Sequence, residues 1–342
     1  MTSLVGHDNA EKIFLQSLQQ GNLHHGWILA GPKGLGKSKF AVRAAQILLN
    51  IDAGEGAGDA NFYTPVKEHV TSMMLAGSHP DYRFLRRGPK TDKDAKKAAE
   101  EGMDALNDTE LKRSIDIAQI RDLQPLFQSQ SSMSKYRVVI IDAIDDIERS
   151  AANALLKSLE EPPKHTIFFL ISHMPDRLLP TIRSRCQIIR FAPLNPEEMR
   201  QALLQHDDQM DAATMESLIE AGQGSPGQAL LLETAKLSEL MMLCQELMAE
   251  GDPDNAKRSE LVKVLSPKAE SPRYQAFLKH LPQTVAHYVR GLPQQGHLSA
   301  IDLWQQISTL AGQAQPKSLD NKAVIFQLGS LMARLSAHKD QP

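Results

Sequence analysis

Through residue 194, short apolar runs alternate with stretches of helical period. The runs Trp27-Ile28-Leu29-Ala30, Tyr82-Arg83-Phe84-Leu85, Val138-Val139-Ile140-Ile141, residues 166–172 and Gln187-Ile188-Ile189-Arg190-Phe191 are too short for helices and are bounded by turn residues. Mostly apolar at successive positions, they predict buried strands of a largely parallel sheet. Beyond Pro196 no strand-like pattern occurs. Residues 197–205, 211–221, 228–250, 274–290, 300–311 and 320–337 carry helical spacing instead. Ile301, Trp304, Ile307 and Leu310 fall at three-residue steps along one predicted helical face. The expected architecture is an α/β part followed by an all-helical remainder. Two stretches interrupt the α/β part: residues 51–61, rich in Gly, Ala, Asp and Glu, and residues 88–107, a Lys/Asp/Glu/Ala run. The mixed charge of the second predicts a solvated helix or a flexible insertion.

Composition narrows the classes. A chain of 342 residues, at about 150 per domain, predicts two to three domains. The net charge is only −3, being +2 through Leu194 and −5 after it, and aromatic residues make up 5%. That balance disfavours a stand-alone sequence-reading nucleic-acid binder and a base-stacking platform, leaving room for a local DNA contact. Cys186 and Cys244 are the only cysteines, which excludes a disulfide framework and a four-cysteine zinc site and points to a reducing, cytoplasmic setting. The N-terminus lacks a signal-peptide pattern, and no apolar run approaches the roughly 18 residues of a membrane span.

The chemistry concentrates in Gly31-Pro32-Lys33-Gly34-Leu35-Gly36-Lys37-Ser38, which fits G-x-x-x-x-G-K-[ST]. A predicted strand enters it, and a helical stretch with Phe40, Ala44 and Ile47 on one face leaves it. Glycines at these positions let backbone N–H groups turn inward around phosphate oxygens, and the helix N-terminus adds partial positive charge. Lys37 would neutralise β/γ-phosphate charge, and Ser38 would offer its hydroxyl to Mg²⁺. A Gly-rich turn without a ligand is the alternative. Asp142, at the end of an apolar strand run, is placed to hold Mg²⁺ through water, or else to cap a turn. Many ATPases of this layout follow that aspartate with a glutamate that orients the attacking water. Here Ala143 stands there, and Asp145 and Asp146 fall past the strand end. The chain is equipped to bind ATP or ADP with Mg²⁺ and ill-equipped to hydrolyse it.

Further landmarks carry a resemblance. Ala151-Ala152-Asn153-Ala154-Leu155-Leu156-Lys157-Ser158-Leu159-Glu160-Glu161-Pro162-Pro163 is a helix stopped by two prolines. A strand run follows, then Leu179-Pro180-Thr181-Ile182-Arg183-Ser184-Arg185-Cys186. This ordered set, spanning residues 4–232, resembles the AAA+ clamp-loader subunits of DNA polymerases. The resemblance implies an α/β P-loop AAA+ core over residues 1–193, a small helical lid over 194–235 and an all-α collar over 236–342. It implies that Arg185 of the Ser-Arg-Cys triplet reaches the nucleotide of a neighbouring subunit. Ala143, and Gly227 where Gly224-Ser225-Pro226-Gly227 would carry a sensor arginine, depart from the motor subunits and suit a stator-type member, as does Gly77-Ser78-His79-Pro80-Asp81-Tyr82. The implied partners are motor (gamma/tau-type) and delta subunits in a hetero-oligomer, with the sliding β clamp and primer-template DNA met through the assembly and no membrane.

The family's zinc module near residues 50–71 lacks its cysteines here, so no zinc is expected and His69 and His79 read as packing or hydrogen-bonding residues. Cys186 reads as a small buried hydrophobe, Arg183 as ion-paired or solvated, and Lys157 as a possible DNA-phosphate contact. Ser172 reads equally as the family's first sensor or as a strand-end hydrogen bonder. A motor-type ATPase, a P-loop small-molecule kinase and a scaffold that never binds nucleotide are the alternatives. Polymerase chemistry is not expected of this chain.

Overall fold

The computed structural model describes residues 4–52, 58, 60–106, 110–128, 133–234, 237–265, 272–293, 297–314 and 319–338. The chain forms two compact units, Met1–Gln205 and His206–Pro342. The expected lid–collar boundary at residue 235 lies outside the described residues, as do residues 53–57 and 59 of the first insertion and residue 107 of the second.

In the first unit, strands β1 (Gly26–Ala30), β2 (Tyr82–Arg86), β3 (Arg137–Asp142), β4 (Thr166–Ser172) and β5 (Gln187–Arg190) form one sheet in the order β2-β3-β4-β1-β5. Every neighbouring pair is parallel. The five expected strands are therefore present, and they belong to an α/β core. The continuous apolar character of the inner strands β1, β3 and β4 has a direct cause. Trp27, Leu29, Val138, Ile140, Phe169 and Ile171 point into one core layer, while Ile28, Ala30, Val139, Ile141, Phe168 and Leu170 point into the other. Helices α1 (Asp8–Gln19), α2 (Lys37–Leu49) and α3 (Glu68–Leu75) cover the first face through Phe14, Phe40, Leu48 and Met74.

After α4 (Asp92–Glu101), the second face is covered by α5 (Ile117–Arg121), α6 (Gln124–Gln128), α7 (Arg149–Glu160) and α8 (Pro180–Arg183), through Ile120, Leu126, Leu155, Leu159 and Ile182. Helix α9 (Pro196–Leu204), capped by Asn195 and Glu198, completes the unit. The mixed-charge insertion forms α4, which buries no residue and is held by a Thr91–Asp94 capping box and a Lys97–Glu110 ion pair at 3.0 Å.

The second unit contains α10 (Ala212–Gly222), α11 (Pro226–Thr234), α12 (Ser238–Glu250), α13 (Ala256–Leu265), α14 (Pro272–Arg290), α15 (His297–Ala314) and α16 (Asn321–Ala333), and no strand among the described residues. Three helical expectations need correction. The single helix expected over 228–250 is two: the Leu237 N–H bonds the Leu232 carbonyl at 2.7 Å, a wider closure than a helical turn, and Leu237 becomes fully buried. Helix α13 was not expected: its larger apolar residues gather in its second half, where only Leu261 and Leu265 are buried, and its start is fixed by Asp252, which accepts from the Lys257 and Arg258 N–H groups, each at 3.1 Å.

The third correction concerns α15. Its buried face runs Ala300, Leu303, Ile307, Ala311 and Ala314, whereas Ile301 is 40% exposed. Three-residue steps drift round a helix of 3.6 residues per turn, so Ile301 and Leu310 cannot share a face. Trp304 is only partly buried, its indole N–H donating to the Pro282 carbonyl at 2.9 Å. Ile307→Ala is expected to destabilise the chain by about 2–4 kcal/mol, and Ile301→Ala by less than about 0.5 kcal/mol. Urea unfolding followed by circular dichroism checks this, and equal losses would reinstate the three-step face.

Candidate functional site

The sheet register assembles the site. Ala30 lies beside Ser172, and Asp142 beside Ile171, so β1, β4 and β3 finish together. The segments after them meet at the carboxyl edge of the sheet, where open α/β folds bind ligands. The loop from Gly31 to Gly36 leaves β1 and enters α2 at Lys37. Gly36 sits at φ 84°, a left-handed conformation that favours glycine, and hands the chain into the helix. At Gly31 (φ 152°) any Cβ would stand 2.3 Å from the Phe191 carbonyl oxygen, so only glycine lets the loop pass β5 this closely.

Lys37 is 3% exposed, and its ammonium donates to the Gly31 and Pro32 carbonyls, each at 2.5 Å. Burial pulls its pKa down to about 8, against the opposing pull of Asp142 and Asp145. Ser38 hydrogen-bonds Asp142, so the two oxygen donors expected to serve Mg²⁺ are in contact. Burial raises the Asp142 pKa, while Ser38, Lys33, Lys37 and Arg86 work to lower it. Pro32 and Lys33 are exposed on the loop, Gly34 is half-buried and Leu35 is buried. The phosphate-loop residues and Asp142 are thus brought together, as a phosphate–metal site requires.

Around this centre the structure adds residues that local sequence did not reveal. His7, 5% exposed, meets the Leu35 carbonyl through Nε2 at 2.7 Å and packs edge-on against Phe191. Nothing in its neighbourhood along the chain signals that contact. Asp145, set aside as lying past the strand end, does lie beyond β3, and it performs a different task there. Its carboxylate accepts from Ser172 Oγ at 2.9 Å, from the His173 N–H at 2.6 Å and from the Met174 N–H at 3.2 Å. Asp146 is paired with Arg87 at 3.1 Å, and Ala143 is buried at 4% exposure. Ser172 is fully buried and acts as a strand-end hydrogen bonder.

Arg185 lies apart from these groups in the connection between α8 and β5. Its guanidinium pairs with Glu160 at 2.9 Å and donates to the Thr181 carbonyl at 2.9 Å, with the side chain 34% exposed. Arg183 approaches Asp176 at 3.8 Å. Cys186 is half-buried against the second core layer, and burial pushes its thiol up to about 12, far from thiolate chemistry. Lys157 is exposed on α7. His79 is buried, its Nδ1 accepting from the Asp81 N–H at 3.2 Å, and His69 is exposed. In the second unit, Ser225 Oγ accepts from the Gln228 N–H at 3.2 Å and so caps α11. No helix among the described residues is long and apolar enough to cross a membrane.

A parallel sheet of order β2-β3-β4-β1-β5, with a phosphate loop after β1 and an aspartate ending β3, defines a P-loop protein of the AAA+ class. The sequence model of the family described as "DNA polymerase III, delta subunit" matches residues 6–195, more than half of the chain, and the chain belongs to that family. The delta' subunit of DNA polymerase III from Pseudomonas aeruginosa is 36% identical over 164 residues, 47% of this chain and 41% of that protein. The delta' subunit from Bacillus subtilis is 31% identical over 196 residues, 57% of this chain and 50% of that protein. The gamma/tau subunit from Mycobacterium tuberculosis is 30% identical over 231 residues, 66% of this chain and 35% of that protein. The chain thus spans half or less of the length of these relatives.

The buried ammonium has a measurable consequence. Between pH 8 and the ordinary lysine value of 10.5, the unfolded chain holds a proton on Lys37 that the folded chain lacks, so stability rises with pH across that window. Below it, both states are protonated and the burial penalty is present in full. The stability of the wild type relative to Lys37→Met should therefore increase by something on the order of 3 kcal/mol from pH 8 to pH 10.5. Urea unfolding without nucleotide measures this, and a flat difference would mean that Lys37 titrates as an exposed lysine.

Proposed function

We propose that this chain is a stator-type subunit of the DNA polymerase III clamp loader that binds ATP or ADP with Mg²⁺ and hydrolyses it poorly. The supporting observation is the assembly of Lys37, Ser38 and Asp142 at one sheet edge beside a buried Ala143. The donor set fits a magnesium nucleotide. Lys37 would turn from the loop carbonyls to the β- and γ-phosphates, Ser38 would give its hydroxyl to Mg²⁺, and Asp142 would hold the ion through water. Bound Mg²⁺ would neutralise phosphate charge. The Ala143 methyl can neither accept a proton nor orient water, and the carboxylates of Asp145 and Asp146 are engaged by Ser172 and Arg87. No carboxylate of this segment is left to activate water.

Arg185 is the residue to act on a neighbour. A guanidinium keeps its charge and presents a planar fork to phosphate oxygens, and across a subunit interface it would stabilise charge developing on the γ-phosphate. Within this chain the fork is presented at the surface with Glu160 and Thr181 fixing its orientation. The division into a core over 1–193, a lid over 194–235 and a collar over 236–342 belongs to the same proposal. So do the motor (gamma/tau-type) and delta partners, the β clamp, primer-template DNA and a cytoplasmic location. The similarity to gamma/tau subunits favours one second reading, a motor ATPase, which would turn over nucleotide by itself.

Two outcomes are expected. Equilibrium dialysis of the full chain at millimolar MgATP should show binding that Lys37→Ala abolishes, with turnover by the isolated chain well below about 1 s⁻¹. In a reconstituted loader, Arg185→Ala should leave this subunit folded, lower ATP turnover at the neighbouring site it serves by about a thousandfold or more, the scale on which such arginines act, and slow clamp loading. Absence of nucleotide uptake sinks the binding role, unchanged turnover by the Arg185 variant sinks the trans role, and fast turnover by the isolated chain establishes a motor.

A further inference from the structure

The two prolines that stop α7 leave a carbonyl in need of a donor. In a helix the Leu159 carbonyl would accept from the N–H four residues on, or three residues on in a tighter turn. Those residues are Pro163 and Pro162, which have no N–H. The donor comes instead from a distant part of the chain: His25 Nε2 meets the Leu159 carbonyl at 3.1 Å. A carbonyl only accepts, so Nε2 carries the proton in this contact. His25 is itself held in place. Its own carbonyl accepts from the Phe168 N–H at 2.7 Å, and its ring stacks on that of His24 at 4.3 Å. The last turn of α7 is thereby tied to the entry of β1.

Glu160, the residue after Leu159, pairs with Arg185 at 2.9 Å. Gly26, the residue after His25, meets the same connection directly: a Cβ there would stand 2.8 Å from Cys186 Sγ and 3.3 Å from the Arg185 carbonyl oxygen. Two consecutive residues at the entry of β1 therefore bear on Arg185, one through the carboxylate that holds its guanidinium and one by close backbone approach. The chain's own phosphate loop leaves the other end of β1, five strand residues away, roughly 16 Å at 3.3 Å per residue. We propose that His25 is a positioning residue for Arg185: by capping α7 it holds Glu160 where the guanidinium is aimed at the nucleotide of a neighbouring subunit. The inference rests on the trans reading of Arg185. A partly exposed ion pair adds little to stability, so the worth of this one lies in orientation. A carboxylate on a frayed helix end would follow the guanidinium instead of fixing it, and a displacement of about 1 Å at a reacting group costs on the order of a hundredfold in rate.

The experiment measures kcat and KM for ATP in a reconstituted loader with turnover confined to the neighbouring site. It compares the full chain as wild type, His25→Leu, His25→Gln, Glu160→Ala and Arg185→Ala, and His25→Leu and Glu160→Ala each combined with Arg185→Ala. Leucine fills the space of the ring without a donor, and the glutamine amide nitrogen reaches about as far as Nε2 does. His25→Leu and Glu160→Ala should each lower kcat by about tenfold or more with KM within about twofold, and His25→Gln should stay within about threefold of wild type. In the Arg185→Ala background neither should lower kcat further, because the group they position is gone. Damage to the fold or to assembly would persist in that background. Glu160→Ala, at an exposed position, carries the test if the leucine variant does not assemble. Wild-type kcat in His25→Leu or in Glu160→Ala, equal loss in the leucine and glutamine variants, or an undiminished loss in the Arg185→Ala background overturns the proposal. Unchanged turnover in Arg185→Ala alone removes the trans reading and this proposal with it, a result distinct from the others.

Discussion

Strand β4 is paired on both sides, with β3 and with β1, and the phosphate site depends on those two ladders. The register sets Ala30 beside Ser172 and Asp142 beside Ile171. Three strands whose ends fall at residues 30, 142 and 172 therefore finish at the same level of the sheet. The register is held by burial on both faces: Ile167, Phe169 and Ile171 fill one layer while Phe168 and Leu170 fill the other. A slip of one residue would exchange the two sets and carry Ser172 away from Asp145. The Asp145 carboxylate ties the turn after β3 to Ser172, His173 and Met174, so the strand ends are locked by side-chain bonds as well as by the ladder.

Charge is treated differently in the two regions of functional interest. At the loop, Lys37 is buried and kept charged by two loop carbonyls and by nearby aspartates. Burying an ammonium weakens the fold of the ligand-free chain, and the same desolvation strengthens its attraction for a polyphosphate. Arg185 is partly exposed and paired with a more accessible Glu160. An ion pair of that kind adds little to stability, so the guanidinium can be directed outward without loss to the fold. One cation is prepared for a ligand inside the chain, and the other is carried at its surface.

Much of this architecture was legible from local pattern. Strands β1, β3 and β4 stood out because burial on both faces makes each a short apolar run, and the edge strands β2 and β5 because shorter apolar stretches lie between turn residues. The phosphate loop stood out because its glycines, Lys37 and Ser38 occupy a fixed spacing, and Ala143 because the position after Asp142 is defined by counting. The helical unit was harder to read. The larger apolar residues of helix α13 crowd into its last five positions and draw no long helical stripe, and the break before α12 depends on Leu237 entering a core built from distant helices. The face of α15 was misassigned because Ile301 and Ile307 are chemically identical, and only packing separates an exposed isoleucine from a buried one.

The amino-acid sequence by itself determined the strand runs, the prolines that stop α7, the phosphate-loop spacing and the absence of a carboxylate at residue 143. These are properties of neighbouring residues, set by steric limits on the backbone and by the period of apolar positions. Only the tertiary structure decided that Lys37 rests on Gly31 and Pro32, that His7 meets Leu35, that Asp145 binds the end of β4 and that Arg185 pairs with Glu160. Some of those partners are near in sequence and others far, and what they share is a dependence on orientation. A polar side chain takes the partner that burial leaves within about 3 Å, and that choice is made when the sheet closes and the layers pack.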